Sequence, residues 1–77
     1  MLNFAIIGCG RIAKRHCDLL SSGSIANSRL QAVCDIEPNR AKEFGQKYSV
    51  PYYTDMEELV KKENIDVISI LTPSGLH

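Results

Sequence analysis

The sequence predicts an α/β fold in which parallel strands alternate with helices, and three observations support this. Apolar runs of strand length cover residues 2–7, 30–34 and 65–71. Segments with apolar residues at helical spacing separate these runs, and continuous apolar strands are typical of a parallel sheet that is covered on both faces. A glycine-rich turn at residues 8–13 leads from the first run directly into the first helix. We therefore predict the element order βαβαβαβ, with a short third strand over residues 50–53.

Each predicted helix carries a start or a stop signal. The first helix covers residues 11–21, and Gly23 in the following polar turn ends it. Pro38 suits the first turn of the second helix. Residues 54–57 (TDME) form a predicted capping box for the third helix, with Thr54 as the capping residue. The residues that we expect on the buried faces are Ile12, His16, Leu19 and Leu20 in the first helix, Ala41, Phe44, Gly45 and Tyr48 in the second, and Met56, Leu59 and Val60 in the third.

The glycine-rich turn has the sequence G-x-G-x-x-A, the pattern at which doubly wound Rossmann folds bind the pyrophosphate of a dinucleotide. Gly8 allows a sharp turn away from the strand, and Gly10 removes a Cβ that would hold phosphates away from backbone N–H groups. Ala13 lets the helix lie close to the sheet. The free N–H groups and the dipole of the helix N-terminus both favour an anion. The motif therefore predicts a cofactor phosphate site, with Arg11 close to the cofactor.

Asp35 closes the second apolar run and is the second predicted cofactor contact. A carboxylate at this strand end accepts hydrogen bonds from ribose hydroxyls and repels a 2′-phosphate. Ile36 and Glu37 follow, where a phosphate-binding protein more often places Ser or Arg, so NAD is favoured over NADP. The spacing from Gly8 exceeds the usual value of about 20 residues, and the polar loop at residues 21–28 accounts for the excess. The alternative is that Asp35 only caps the second helix.

Right-handed crossovers place the C-terminal ends of the first and fourth strands side by side, where ligands bind. The glycine turn and residues 72–77 are therefore expected to face each other across one cleft. His77 lies in that segment and is a candidate contact to the nicotinamide ribose or the substrate, whereas His16 is expected to be packed. The sequence shows no paired carboxylates, no nucleophile with an adjacent base and no cluster of metal ligands. The catalytic group is therefore expected to lie outside this sequence.

Composition and charge argue against several classes of function. The formal net charge is +0 at pH 7, so no overall field favours nucleic acid or an anionic membrane. The apolar runs are far shorter than a membrane span, and Gly8 and Gly10 interrupt any signal-peptide apolar region. The 3 cysteines form no CxxC pair, so we expect semi-buried thiols in a reducing cytoplasm rather than disulfides or a zinc site.

Three segments together resemble the N-terminal domain of the glucose–fructose oxidoreductase / inositol dehydrogenase / MocA family. They are the glycine turn at residues 8–13, Asp35 followed by residues 39–41 (NRA), and residues 70–77 (ILTPSGLH). The resemblance covers the whole chain in order, and the closing T-P-x-x-x-H segment is its most discriminating part. The serine-glycine form of that segment looks most similar to the branch that oxidises the 3-hydroxyl of UDP-N-acetylglucosamine derivatives.

The resemblance implies an NAD-dependent enzyme that transfers hydride between nicotinamide and a secondary hydroxyl of a sugar, polyol or nucleotide sugar. It also implies a catalytic lysine in a Glu-Lys-Pro motif and a substrate-binding domain that mediates oligomers, both beyond residue 77. The cofactor contacts that it implies are Gly10, Arg11 and Ile12 at the pyrophosphate, Asp35 at the adenosine ribose, and Leu71, Thr72, Pro73, Ser74 and His77 at the diphosphate and nicotinamide-ribose side.

The length of 77 residues leaves room for one small domain and for about four of the six strands of a complete dinucleotide-binding fold. We therefore expect residues 1–77 to be the N-terminal part of a truncated Rossmann domain, catalytically silent by itself, from a longer enzyme. Two alternatives stay open. One is a non-catalytic, nucleotide-sensing Rossmann module. The other is a methyltransferase, which Ala13 and the Thr72-Pro73 turn fit poorly.

Overall fold

The structure is a computed structural model that describes residues 2–8, 10–23 and 25–71, with Arg11 and Ile12 described in their backbone only. The α/β class and the predicted element order are confirmed. The first strand has its predicted bounds, and the bounds of the other three differ from the predicted ones by at most two residues. The elements are β1 (Leu2–Ile7), α1 (Arg11–Ser21), β2 (Ser28–Cys34), α2 (Pro38–Tyr48), β3 (Tyr52–Tyr53), α3 (Met56–Lys62) and β4 (Val67–Ile70).

A parallel sheet of four strands organises the described residues, in the order β3-β2-β1-β4. The chain moves outward from β1 to β3 and then crosses back to place β4 on the other side of β1. Ile7 at the end of β1 therefore lies opposite Cys34 of β2 and Ile70 of β4. The Leu71 N–H donates to the Ile7 carbonyl over 2.8 Å, which extends this pairing by one residue. The predicted switch point at the ends of β1 and β4 is confirmed.

Both faces of the sheet are packed against helices, as a parallel sheet requires. Helices α1 and α2 cover one face and α3 covers part of the other. Burial of these apolar side chains is the main stabilising term of such a fold. The buried residues of the first face are Ile6, Ala13, Cys17, Leu20, Leu30, Val33 and Phe44, and those of the second are Ala5, Ala32, Cys34 and Leu59.

The buried face of α1 is displaced from the predicted one. Ala13 and Cys17 are buried together with Leu20, whereas Leu19 remains 41% exposed and His16 is half-buried. Small side chains at these two positions let the helix axis approach the sheet, so the contact line follows them rather than the larger residues beside them. The predicted stripe was therefore wrong at Leu19.

The start of α3 also corrects a prediction. Asp55, not Thr54, is the N-cap, and its Oδ1 accepts the Glu57 N–H over 3.0 Å. Both residue types are favoured as caps, so the sequence pattern left two possible starts one residue apart. The prediction of a capping box with Thr54 as its first member was therefore wrong.

The α3 side of the sheet is covered only in part. Leu59 is fully buried, but Met56 and Val60 remain 41% and 43% exposed, contrary to the prediction that all three face the core. The reason is that α3 packs over β2 and β3. Ile68 and Ile70 on the same side of β4 are also exposed.

Candidate cofactor-binding site

The glycine turn follows β1 at the C-terminal edge of the sheet, between the ends of β2 and β4. The Gly8 N–H donates to the Cys34 carbonyl over 2.7 Å, which ties the turn to β2. Gly8 has a φ of 95°, a backbone conformation that residues with a Cβ seldom adopt. The chain therefore leaves the strand sharply at Gly8, as the sequence predicts.

The first turn of α1 is open to solvent at Gly10. This residue is the N-cap, in an extended conformation (φ −99°, ψ −161°). A Cβ added to it would have no heavy atom of the described residues within 4 Å, apart from its chain neighbours. The Lys14 N–H makes the first bond of the helix, to the Gly10 carbonyl over 3.1 Å, so the N–H groups of residues 11–13 precede the intrahelical ladder. The first turn contains no acidic residue. Open space, free N–H groups and the positive end of the helix dipole together fit a diphosphate.

Ala13 fixes the position of this helix start. Its side chain is 1% exposed and packs in the cluster that contains Ile6 and Val33 of the sheet. Because the helix approaches the sheet closely at this residue, the free N–H groups of its first turn are held at the sheet edge. The predicted reason for a small residue at the sixth position of the motif is confirmed.

Asp35 lies directly after β2, at the same edge of the sheet as the glycine turn. Its N–H donates to the Tyr53 carbonyl over 3.0 Å, and its Oδ1 accepts the Glu37 N–H over 2.8 Å. The side chain is 6% exposed. Glu37, rather than Asp35, is the N-cap of α2, so Asp35 braces the turn into the helix without capping it. This hydrogen bond orients the carboxylate. The role of Asp35 at the ribose stays a prediction.

The structure brings several predicted site residues to one edge of the sheet. Gly8, Gly10 and Asp35 lie at that edge. Leu71 is half-buried and packs against the apolar cluster that contains Ala13 of α1. The other predicted contacts lie outside the described residues: the side chains of Arg11 and Ile12, and all of Thr72, Pro73, Ser74 and His77.

The two described cysteines are core residues with weakly acidic thiols. Burial is the main cause that raises the pKa of Cys17 to about 12, and burial also raises the pKa of Cys34. Thiols that stay protonated at neutral pH are poor nucleophiles and poor metal ligands. Among the described residues, no group of three or more His, Cys, Asp or Glu side chains could hold a metal ion.

One contact that supports α1 has no signal in the sequence. The Tyr48 hydroxyl of α2 donates to Asp18 Oδ1 of α1 over 2.5 Å, between residues 30 positions apart. Burial and this hydrogen bond raise the pKa of Tyr48 well above its usual range. Because the bond joins two helices that pack on the same face of the sheet, it restrains the orientation of α1.

Comparison with known proteins identifies the family. The model of the oxidoreductase family with an NAD-binding Rossmann fold (GFO_IDH_MocA) matches residues 2–77. The trans-1,2-dihydrobenzene-1,2-diol dehydrogenase of Mus musculus is 36% identical over 77 residues, which cover 99% of this chain and 23% of that relative. The chain thus spans less than a quarter of the length of this relative.

Two solved structures with bound cofactor have the same fold. The WlbA dehydrogenase from Bordetella pertussis, in complex with NADH and UDP-GlcNAcA, matches with a TM-score of 0.84 at 27% identity, over 99% of this chain and 23% of that one. The scyllo-inositol dehydrogenase from Lactobacillus casei, with NAD(H) and scyllo-inositol, matches with a TM-score of 0.84 at 27% identity, over 100% of this chain and 23% of that one. This chain therefore belongs to the Gfo/Idh/MocA oxidoreductase family, and it matches that family's NAD-binding Rossmann fold.

Proposed function

We propose that this chain is the N-terminal, cofactor-binding part of an NAD-dependent dehydrogenase. The observation that carries the proposal is the open start of α1 beside Asp35, at the sheet edge where the strand order reverses. Family membership favours this function over a nucleotide sensor and over a methyltransferase. The site is built to hold a cofactor, and the groups that act on the substrate belong to another part of the protein.

The residues of this chain bind and orient the cofactor. The N–H groups of residues 11–13 hold the pyrophosphate, the Asp35 carboxylate accepts hydrogen bonds from the adenosine ribose, and residues 71–77 line the nicotinamide half. When bound, NAD supplies a hydride acceptor at its nicotinamide ring. The lysine that the family resemblance implies, outside the 77 residues, would take the hydroxyl proton as a general base.

The proposed substrate is a sugar, a polyol or a nucleotide sugar with a secondary hydroxyl. The two solved relatives support this class, since one binds scyllo-inositol and the other UDP-GlcNAcA. We further propose that the whole protein has a separate substrate domain and assembles into a homo-oligomer. It is proposed to act in the cytoplasm and to have no nucleic-acid partner. Within the described ranges of the chain, no helix is long and apolar enough to cross a membrane.

The substitution Asp35→Ala in the full-length protein tests the proposed function. We expect the NAD affinity to fall by about 10- to 100-fold, the usual value of hydrogen bonds to a charged group. The ratio of the NADP to the NAD dissociation constant should fall as well, because NAD loses its contact with the carboxylate. Calorimetric titration with each cofactor measures both effects.

Two further variants separate binding from folding. Asp35→Asn keeps an oxygen that can accept the Glu37 N–H, so it should preserve the entry into α2 while it still weakens NAD binding. Glu43→Ala removes an exposed acid of α2 at some distance from the turn and should leave the titration unchanged. Equal NAD titrations of Asp35→Ala and the parent would reject the role of Asp35.

A further inference from the structure

We propose that Glu37 and Pro38 form a second barrier against the 2′-phosphate of NADP, separate from the Asp35 carboxylate. The inference rests on the proposed function, because it concerns how the same site distinguishes two cofactors. Its consequence is that removal of the Asp35 charge alone does not convert the site to NADP.

The backbone at the entry of α2 offers few donors to a phosphate. The Glu37 N–H donates to Asp35 Oδ1 over 2.8 Å, and Pro38, in the first turn of the helix, has no N–H. The Arg40 N–H donates to the Glu37 carbonyl over 3.1 Å. Pro38 and Arg40 are therefore unable to donate a backbone hydrogen bond to an anion whether or not Asp35 is present, whereas the Glu37 N–H is occupied by Asp35 itself. Helix N-termini bind phosphate mainly through such groups.

The side chain of Glu37 adds a negative charge at this position. Glu37 is exposed and makes no side-chain capping bond to its own helix. Its N–H contacts the Asp35 carboxylate, so the residue lies beside the proposed ribose contact. A charge of the same sign about 4 Å away in water weakens the binding of an anion by about fivefold. Arg40, exposed in the same turn, carries a charge of opposite sign, which makes the missing backbone donors the more important element of the barrier.

Helix α1 shows that the shortage of backbone donors at the start of α2 is not general along this edge of the sheet. Helix α1 begins at the same edge of the sheet, with Gly10 as its N-cap, free N–H groups at residues 11–13 and no acid in its first turn. The edge therefore provides donors where the pyrophosphate is proposed to bind and withholds them beside the ribose. NAD, with a 2′-hydroxyl, suits both the pyrophosphate site and the ribose site. NADP, with a 2′-phosphate, suits only the pyrophosphate site.

The test compares NAD and NADP binding to the full-length protein in four variants. The first is Asp35→Ser, and the others combine Asp35→Ser with Glu37→Gln, with Pro38→Ala or with Glu43→Gln. Asp35→Ser should weaken NAD binding about tenfold or more. NADP affinity should change by less than about threefold, because the loss of the hydrogen bond to the ribose offsets the loss of repulsion. Addition of Glu37→Gln or Pro38→Ala should raise NADP affinity about fivefold each, and more than it raises NAD affinity. Glu43→Gln, the charge-matched control on α2, should change neither.

The possible outcomes separate the two proposals. If the parent does not bind NAD, the proposed function fails. If the parent binds NAD and Asp35→Ser weakens it, but neither added substitution improves NADP binding, the proposed function stands and the second barrier is overturned. The barrier is also overturned if Asp35→Ser alone binds NADP as tightly as the parent binds NAD. Thermal unfolding of each variant checks folding, and the Glu37→Gln comparison decides the matter if Pro38→Ala proves unstable.

Discussion

The N-termini of α1 and α3 have opposite chemistry although both follow strands of one parallel sheet. Helix α3 begins at Asp55, whose carboxylate accepts the Glu57 N–H, and Glu57 and Glu58 place negative charge in its first turn. Helix α1 begins at Gly10, which has no side chain, and its first turn contains no acid. The N–H groups at the start of α3 are satisfied by its own residues, whereas the start of α1 is left open.

Under the proposed function, this difference marks the place where the fold gives up local stability for binding. A capping side chain contributes about 1 kcal/mol, and an acid in the first turn a further 0.3–1 kcal/mol, so a sequence selected for stability alone would favour the start of α3 in both helices. Helix α1 forgoes both contributions in the motif that predicts a diphosphate site. Under the proposed function, an external anion would supply there what Asp55 and its neighbours supply in α3.

The substitution Gly10→Asp gives α1 the start of α3 and should have the largest effect. The extended backbone of Gly10 and the empty space around it accept this side chain, so the fold should be preserved and the melting temperature equal to or above that of the parent. The new carboxylate occupies the free N–H groups and repels the diphosphate. We expect NAD affinity to fall about 100-fold or more, which corresponds to about 2.7 kcal/mol. Calorimetry and thermal unfolding measure the two quantities on the same sample.

The matched control for this change is Gly10→Ala, which adds a Cβ without a charge. It should weaken NAD binding less than Gly10→Asp does, because it leaves the N–H groups free. If the aspartate variant bound NAD as tightly as the parent, the open helix start would not be the phosphate site, and its contrast with α3 would have no functional meaning.

A second glycine, Gly45 in α2, sharpens the comparison because the space around it is filled. A Cβ there would lie 2.5 Å from Cδ1 of Tyr52. Overpacking of this kind costs about 1–3 kcal/mol, and the higher helix propensity of alanine, about 1 kcal/mol, recovers part of that loss. Gly45→Ala should therefore lower the free energy of unfolding by about 1 kcal/mol and leave the NAD dissociation constant nearly unchanged. Urea denaturation provides the measurement, and a midpoint at or above that of the parent would contradict it.

The features that the sequence could predict are those that a local pattern determines. The G-x-G-x-x-A motif located the start of α1, and the end of an apolar run located Asp35 at the sheet edge. The alternation of strands and helices, with the rule of right-handed crossovers, predicted that β1 and β4 are adjacent. Each of these inferences uses residues close together in the chain or a rule that holds for nearly all parallel sheets.

The features that it could not predict depend on packing between distant segments. Leu19 and Leu20 are equally apolar, and only the close approach of α1 at Ala13 determines which of them is buried. Tyr48 and Asp18 are 30 positions apart and no periodic pattern relates them. Sequence reasoning also offered Asp35 as either a ribose contact or a cap of α2. The structure gives the N-cap position to Glu37, and Asp35 instead accepts the Glu37 N–H, a bond that still permits the role at the ribose.

An effect on stability about as large as that of Gly45→Ala is expected from the opposite change, removal of the cap of α3 by Asp55→Ala. The loss of the bond to the Glu57 N–H should lower the free energy of unfolding by about 1 kcal/mol, while NAD affinity stays within about twofold of the parent. Glu43→Gln serves as control, because it removes an exposed acid of α2 that lies outside any helix start. If Asp55→Ala weakened NAD binding as strongly as Gly10→Asp, the two helix starts would belong to one coupled site. Independent effects, with stability changed at α3 and binding changed at α1, would show that the open start of α1 serves the ligand and the closed start of α3 serves the fold.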